Sequence, residues 1–319
     1  MSRYRNKPLD LAQLRTVSLA ARGGKVRVAD FAGRYPRGGG LPAWLDSLPH
    51  ILAGDSFRGV VEALRRARAE HKPVVWGLGG HVIKCGLAPV LIDLMERGYA
   101  AAFAMNGAAA IHDFEIALAG HTSEDVEAVL PDGSFGAAEE TGREMNEALS
   151  AAARDGIGGG EAFGRRLEQI ADPQFVGHSL LLAAWRRSVP VTVHVAVGTD
   201  TPHTHPKADA AAIGQATHHD FRLFCELVRQ LHDGGVYLNV GSAVILPEVF
   251  LKAVSAVRNL GHPLERFTTV NLDFLQHYRP RLNVVERPHA QAGGRGFAIT
   301  GHHEIMIPLL AAVLIESES

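Results

Sequence analysis

The sequence predicts an α/β fold, a parallel sheet covered by helices on both faces, and three observations carry that expectation. Five short apolar runs rich in Val, Ala and Phe are bounded by Gly, Asn and Asp. Helical patterns of about ten or more residues separate them, as parallel strands require. Each apolar run is nearly continuous rather than alternating, which suits a strand buried on both faces.

Residues 1–55 are basic and irregular, with turn signals in RGGK and YPRGGGLP and a short strand expected at Lys25–Phe31. They read as an N-terminal arm wrapped on the body or on a neighbouring subunit. From Ser56, a plausible N-cap, Phe57, Val60, Val61 and Leu64 recur at helical spacing. Pro73–Leu78 is the first strand, and helix Ala88–Arg97 closes at Gly98. Tyr99–Met105 is the second strand, ending in Asn106-Gly107. A helical and polar insertion spans about 123–172, and helix Ser179–Arg187 leads into the third strand, Val189–Val197. Helix Asp220–His232, strand Val236–Val240, helix Pro247–Leu260 and strand Phe267–Leu272 complete the alternation. The expectation is one Rossmann-like body over 56–319.

Composition limits the function. The 319 residues hold 32 basic and 34 acidic side chains, a net charge of -2, so no global field recruits nucleic acid or anionic lipid. Two cysteines, Cys85 and Cys225, exclude a disulfide scaffold. The N-terminus lacks the apolar core of a secretory signal, and the run IMIPLLAAVLI is too short to span a bilayer. A cytoplasmic protein without membrane or nucleic-acid partners is expected. Histidine is abundant, at 17, and lysine scarce: Lys7, Lys25, Lys72, Lys84, Lys207 and Lys252 are all there are.

Ligands of open parallel sheets bind beyond the carboxyl ends of the strands. Here those ends carry Gly79-Gly80-His81, then Asn106-Gly107 with His112 beyond, then Thr199-Asp200 with His203 and His205, then Gly241-Ser242, then Asn271 and Asp273. Five polar ends in a row point to a shared ligand crevice. The loop GLGGHVIKCG departs from G-x-G-x-x-G and reads equally as a phosphate loop or a tight turn. His203 and His205 have a spacing that a zinc or other divalent site can use, with Asp200 near; acid–base or substrate-binding roles, or simple solvation, are the other readings. His178, His194, His218-His219 and His302-His303 read as ordinary helix-end residues. No HExxH, G-x-S-x-G or P-loop motif occurs.

The order of these strand ends resembles deoxyhypusine synthase. Gly79-Gly80-His81 with Gly86-Leu87 is similar to that family's Thr-Ser-Asn loop and Ser-Gly-Leu; Asn106-Gly107-Ala108-Ala109 with Asp113 is similar to its Thr-Ala-Gly-Gly segment and following Asp. The stretch from Pro190 to Thr199-Asp200 resembles its P-V-x-x-P-A-x-T-D strand, and Gly241-Ser242, Asn271 and Pro308-Leu309-Leu310 fall in matching order. The resemblance implies NAD held across Gly79, Gly80, His81, Asn106, Gly107, Thr199, Asp200, Gly241, Ser242, Asn271 and Asp273, a small-molecule substrate, and a homotetramer. One departure is chemical. The family's imine-forming lysine, in a Trp-Gly-Lys motif, has no counterpart: Arg287–His303 offers Gly293-Gly294-Arg295-Gly296 and His302-His303 instead. Arginine stays protonated and forms no imine. The sequence therefore suggests a divergent enzyme of this group, with His112, His203, His205 and Asp200 as its catalytic candidates. A metal-dependent hydrolase using His203 and His205, or a non-catalytic binding protein, are the alternatives.

Overall fold

In a computed structural model describing residues 3–317, six parallel strands form one sheet in the order β3-β2-β1-β4-β5-β6. They are β1 (Val74–Leu78), β2 (Ala102–Asn106), β3 (Val191–His194), β4 (Val236–Val240), β5 (Thr268–Asp273) and β6 (Arg295–Thr300). The α/β class expected from the sequence is the one observed. Helices α1 (Gly40–Ser47) and α2 (Leu52–Ala69) precede β1, and α3 (Gly80–Lys84) and α4 (Ala88–Glu96) follow it. After β2 come α5 (Gly107–Ala119), α6 (Val126–Val129), α7 (Glu139–Asp155), α8 (Gly159–Ile170) and α9 (Leu180–Arg186). Helix α10 (Ala210–Arg229) joins β3 to β4, and α11 (Ile245–Asn259) joins β4 to β5. Helix α12 (Tyr278–Pro280), with the π-helical turns at Arg281–Glu286, precedes β6, and α13 (His303–Glu316) ends the described chain.

Side-chain alternation along the strands divides the core in two. Val74, Trp76 and Leu78 point into the larger half, with Val60, Leu64, Leu91, Phe114, Phe163, Leu310 and Leu314 from the helices of that face. Val75, Ala102, Ala104 and Tyr237 point into the other, against Phe224 and Val228 of α10 and Phe250 and Val254 of α11. Gly77 is small because Tyr237 fills the space beside it, its hydroxyl 2.5 Å from where a Cβ would sit. Trp76 is fully buried, and its indole N–H donates to the Tyr99 carbonyl at 2.8 Å.

Several boundaries differ from the sequence reading. The strand expected at Lys25–Phe31 is instead a single 3-10 turn, Val28–Asp30, and nearly every described residue up to Gly40 is exposed. Helix α2 begins at Leu52, so Ser56 lies inside its first turns rather than capping it. Helix α10 begins ten residues before Asp220, where the Asp209 carboxylate accepts from the Ala211 and Ala212 amides. Asp220 itself is buried in mid-helix. Strand β6 was not expected. It is an edge strand with alternating exposure, and only Phe297 and Ile299 of it enter the core. Among the described residues no helix is long and apolar enough to cross a membrane.

Candidate functional site

The strand order reverses between β1 and β4, the position where open α/β sheets hold ligands. The two backbones touch there. The Gly79 amide donates to the Val240 carbonyl at 2.9 Å, and a Cβ on Gly79 would lie only 2.5 Å from the Gly241 carbonyl carbon. Gly241 has φ +66, a conformation that favours glycine. Both glycines are thus required by the turn itself. The same holds for Gly80, whose missing Cβ makes room for Ala108 and the His112 ring, and for Gly107, against which the Asp200 carboxylate packs.

Beneath this junction runs a relay of buried amides. Asn239 donates to the Ser242 carbonyl at 2.9 Å and to Asn271 Oδ1 at 2.7 Å; Asn271 donates to Gln276 Oε1, and Gln276 to the Ile299 carbonyl. Ser242 Oγ accepts from the Leu246 amide in the first turn of α11. The relay ties β4, β5 and β6 together at their carboxyl ends. Asn271 and Ser242 are therefore satisfied by protein, while Asn239 Oδ1 has no partner.

Beside the relay sits a histidine cluster that the sequence reading passed over as helix-end residues. His303, the first residue of α13, is fully buried against Gly241, 3.0 Å from the space a Cβ there would take. Its Nε2 faces Asp273 Oδ1 at 3.5 Å, and neither ring nitrogen makes a hydrogen bond of ordinary geometry. Burial pulls its pKa down, against the opposing pull of Asp273, so the ring is neutral at neutral pH. The His81 ring lies 5.6 Å from that of His303 and 5.8 Å from Phe274, which stacks on His302. His81 Nε2 lies 3.3 Å from Cys85 Sγ, and that thiol points at Glu304 Oε2, 3.8 Å away. Burial and the Glu304 charge push the Cys85 thiol up.

The four catalytic candidates are dispersed by comparison. His112 lies under Gly80 with its Nδ1 2.7 Å from Thr122 Oγ1, and Thr122 in turn bonds Glu115. Burial and the charge of Lys84 hold its pKa at about 4. Asp200 accepts from the Ala196 amide at 2.8 Å and is raised by burial, while Thr199 is exposed. In the segment holding His203, Thr201–Thr204 forms a 3-10 turn, and Asn146 donates to the Pro202 carbonyl. His203 is half-buried, and its Nδ1 lacks a partner. His205 turns toward α7, where Nε2 meets Glu139 at 2.9 Å and Nδ1 accepts the Lys207 amide. Both its nitrogens have protein partners. Among the described residues the converging trio of metal-ligand type is His81, Cys85 and Glu304, so His203 and His205 gain no third donor.

Two buried acids serve the architecture. Asp113 accepts from Ser179 Oγ at 2.6 Å and from the Leu180 and Leu181 amides, which begin α9; burial raises its pKa to about 6. Asp220 Oδ2 accepts from the Gly160 and Val193 amides, and burial raises its pKa to about 7. Elsewhere, a cavity of about 1080 Å³ lined by Arg65, Arg66, His71, Lys72 and Gln230 opens at the opposite end of β1, and one of about 680 Å³ lies beside Glu115 and Thr122. Neither is lined by His203 or His205.

No protein-family model matches the chain, and no curated protein does. Solved structures do. A conserved protein of the LOR/SDH class from Methanococcus maripaludis S2 superposes with a TM-score of 0.51 at 15% identity, over 84% of this chain and 71% of that one. Unliganded AgrE gives 0.52 at 17% identity over 82% of this chain. AgrE with ornithine and NAD+ gives 0.50 at 16%, also over 82%. The chain shares their fold. It is the parallel-sheet α/β fold that the sequence predicted. The chain spans about a third of the length of AgrE, 32% and 33% in these two structures.

Proposed function

We propose that the chain is an enzyme that binds NAD or a related dinucleotide along the carboxyl edge of the sheet and acts there on a small polar substrate. The observation that supports this best is His303: a fully buried imidazole whose nitrogens make no hydrogen bond of ordinary geometry, set at the β1/β4 switch point beside Gly241 with Asp273 3.5 Å from Nε2. A buried polar group without a partner costs about 1–3 kcal/mol, and a ligand that completes it recovers that cost. AgrE, a fold neighbour, has been captured with ornithine and NAD+.

The residues at this edge fit a dinucleotide. Gly241 and Ser242 lie in the turn just before the long helix α11, whose N-terminal dipole end favours a phosphate, with the Leu246 amide held by Ser242 Oγ. Asp273, and Asp200 beside Gly107, offer carboxylates to ribose hydroxyls, with Gly79, Gly80, His81, Asn106, Thr199 and Asn271 along the same edge. When bound, the nicotinamide would supply hydride chemistry. His303 holds a free lone pair at neutral pH and can take a proton from a substrate hydroxyl or ammonium; Asp273 then stabilises the imidazolium. His112, held neutral, and His203 are the further polar groups proposed to meet substrate, with His205 held against α7 as support. No lysine imine takes part. Lys252 is the last lysine, and it pairs with Glu248 on α11.

The same reading places the protein in the cytoplasm as a homo-oligomer. The exposed apolar side chains of the arm, Leu9, Leu11, Leu14, Val17 and Leu19, support a neighbouring copy that covers them. The test is calorimetric titration of the purified chain with NAD+, NADH and NADP+, followed by absorbance of the reduced cofactor on addition of amino and hydroxy acids. Saturable binding of one of the three supports the proposal. Absence of heat from all three at millimolar concentration rejects it.

A further inference from the structure

We propose that His81 Nε2, Cys85 Sγ and Glu304 Oε2 bind a divalent ion of the zinc class, with a fourth position open to water or to a substrate oxygen. The inference goes beyond the dinucleotide reading and does not depend on it.

The geometry comes from two parts of the chain. His81 and Cys85 are four residues apart across the short helix α3, so their side chains fall on one face. Glu304 comes from the first turn of α13, 219 positions beyond Cys85. The three ligand atoms all lie within 4.8 Å of one another. In a tetrahedral zinc site with Zn–N about 2.0 Å and Zn–S about 2.3 Å, neighbouring ligand atoms are about 3.5 Å apart. The observed separations are 3.3 Å from His81 to Cys85 and 3.8 Å from Cys85 to Glu304. These two bracket the required value, and the His81 to Glu304 separation lies within 4.8 Å, so rotamer adjustment of the three side chains brings them onto one ion.

The donor set is chemically selective. An imidazole, a thiolate and a carboxylate suit zinc or cobalt, whereas magnesium and calcium take oxygen ligands. Three protein donors with one open position is the pattern of catalytic rather than structural zinc. His81 and Glu304 are exposed and Cys85 half-buried, so an ion can enter from solvent. The supporting contacts are also in place. His302 Nδ1 lies 3.8 Å from the other carboxylate oxygen of Glu304, and the His81 ring is wedged between Phe274 and His303. An ion here would sit at the edge of the proposed crevice, next to Asp273 and His303, rather than in the His203 loop.

The experiment uses tag-free, full-length protein stripped with a chelator and titrated with cobalt(II). One equivalent should develop the near-ultraviolet thiolate-to-cobalt band and the visible bands of a tetrahedral site. Cys225→Ser should behave as wild type. Cys85→Ser should lose the thiolate band, and Glu304→Gln should keep a thiolate band while binding about tenfold or more weakly. Zinc should displace cobalt stoichiometrically. Far-ultraviolet circular dichroism checks that each variant is folded; if Cys85→Ser is not, Glu304→Gln and Cys225→Ser decide. A wild-type protein without the thiolate band, a band lost with Cys225, or an unchanged affinity in Glu304→Gln would overturn the proposal.

Discussion

Replacing Gly79 by alanine tests the packing that shapes the crevice. Gly79 has φ -86 and ψ 161, so alanine adopts its backbone without strain. The whole cost must come from crowding. The new methyl would sit 2.5 Å from the Gly241 carbonyl carbon, 3.0 Å from the Ser242 amide nitrogen, and closer still to the Gly241 oxygen. All three are backbone atoms, so no flexible side chain can yield. The β1 and β4 loops must separate by about an ångström, and the Gly79 to Val240 hydrogen bond at 2.9 Å is lost or stretched. Overpacking of this kind costs about 1–3 kcal/mol and the hydrogen bond about 1 more, so the expected loss is about 2–4 kcal/mol. Gly86 is the control. It has φ +74 with open space around it, so Gly86→Ala should cost only the left-handed strain, about 1–2 kcal/mol. Urea unfolding of both variants checks the difference. Gly79→Ala as stable as wild type, or less damaging than Gly86→Ala, would refute the contact between the two loops.

Asp220 titrates upward on folding, from 3.8 to about 7, because its carboxylate is buried. The native state therefore holds the proton longer than the unfolded chain, and this group's contribution to stability is lost as pH rises from about 4 to about 7. Wild-type stability relative to Asp220→Asn should fall over that window in urea unfolding at several pH values; a flat difference would contradict the burial. Asp113→Ala strips two amides and a hydroxyl of their acceptor at the start of α9, and should cost about 2–4 kcal/mol in the same assay. Glu139→Gln weakens an exposed pair with His205 and should shift stability by less than about 1 kcal/mol. His303→Gln, by contrast, should leave dinucleotide binding measurable in calorimetry while turnover drops by about a hundredfold or more, the usual contribution of a positioned acid–base group.

The central strands were legible because β1, β2, β4 and β5 are buried on both faces and their apolar runs end in glycine, asparagine or aspartate. Edge strand β6 was not. Its segment, GGRGFAIT, alternates exposed and buried residues and begins in glycines, so it reads as a loop until β5 is there to pair with it. The start of helix α10 is hard to read because its first turn, Ala210 to Ala212, is small alanines without a large apolar anchor; the Asp209 cap marks it. Gly79, Gly241, Asn271 and Asp273 lie at or just past the carboxyl ends of β1, β4 and β5, where the ends of the apolar runs put them. The His81, Cys85 and Glu304 group was only half visible. GHVIKC shows His and Cys one helical turn apart, but Glu304 reaches them only because β6 places α13 beside α3. His203 and His205 drew attention through their spacing, yet an alternating pair in a turn sends the two rings apart, one to Glu139 and the other toward the interior.

Hydrogen exchange with and without NADH, followed by mass spectrometry, tests the central claim most directly. The account predicts slower exchange in peptides covering residues 78–86, 240–246 and 300–306, with no change in those covering Arg65, Arg66 and Lys72 at the opposite end of the sheet. Protection confined to that basic cavity, or none anywhere at saturating NADH, would contradict it.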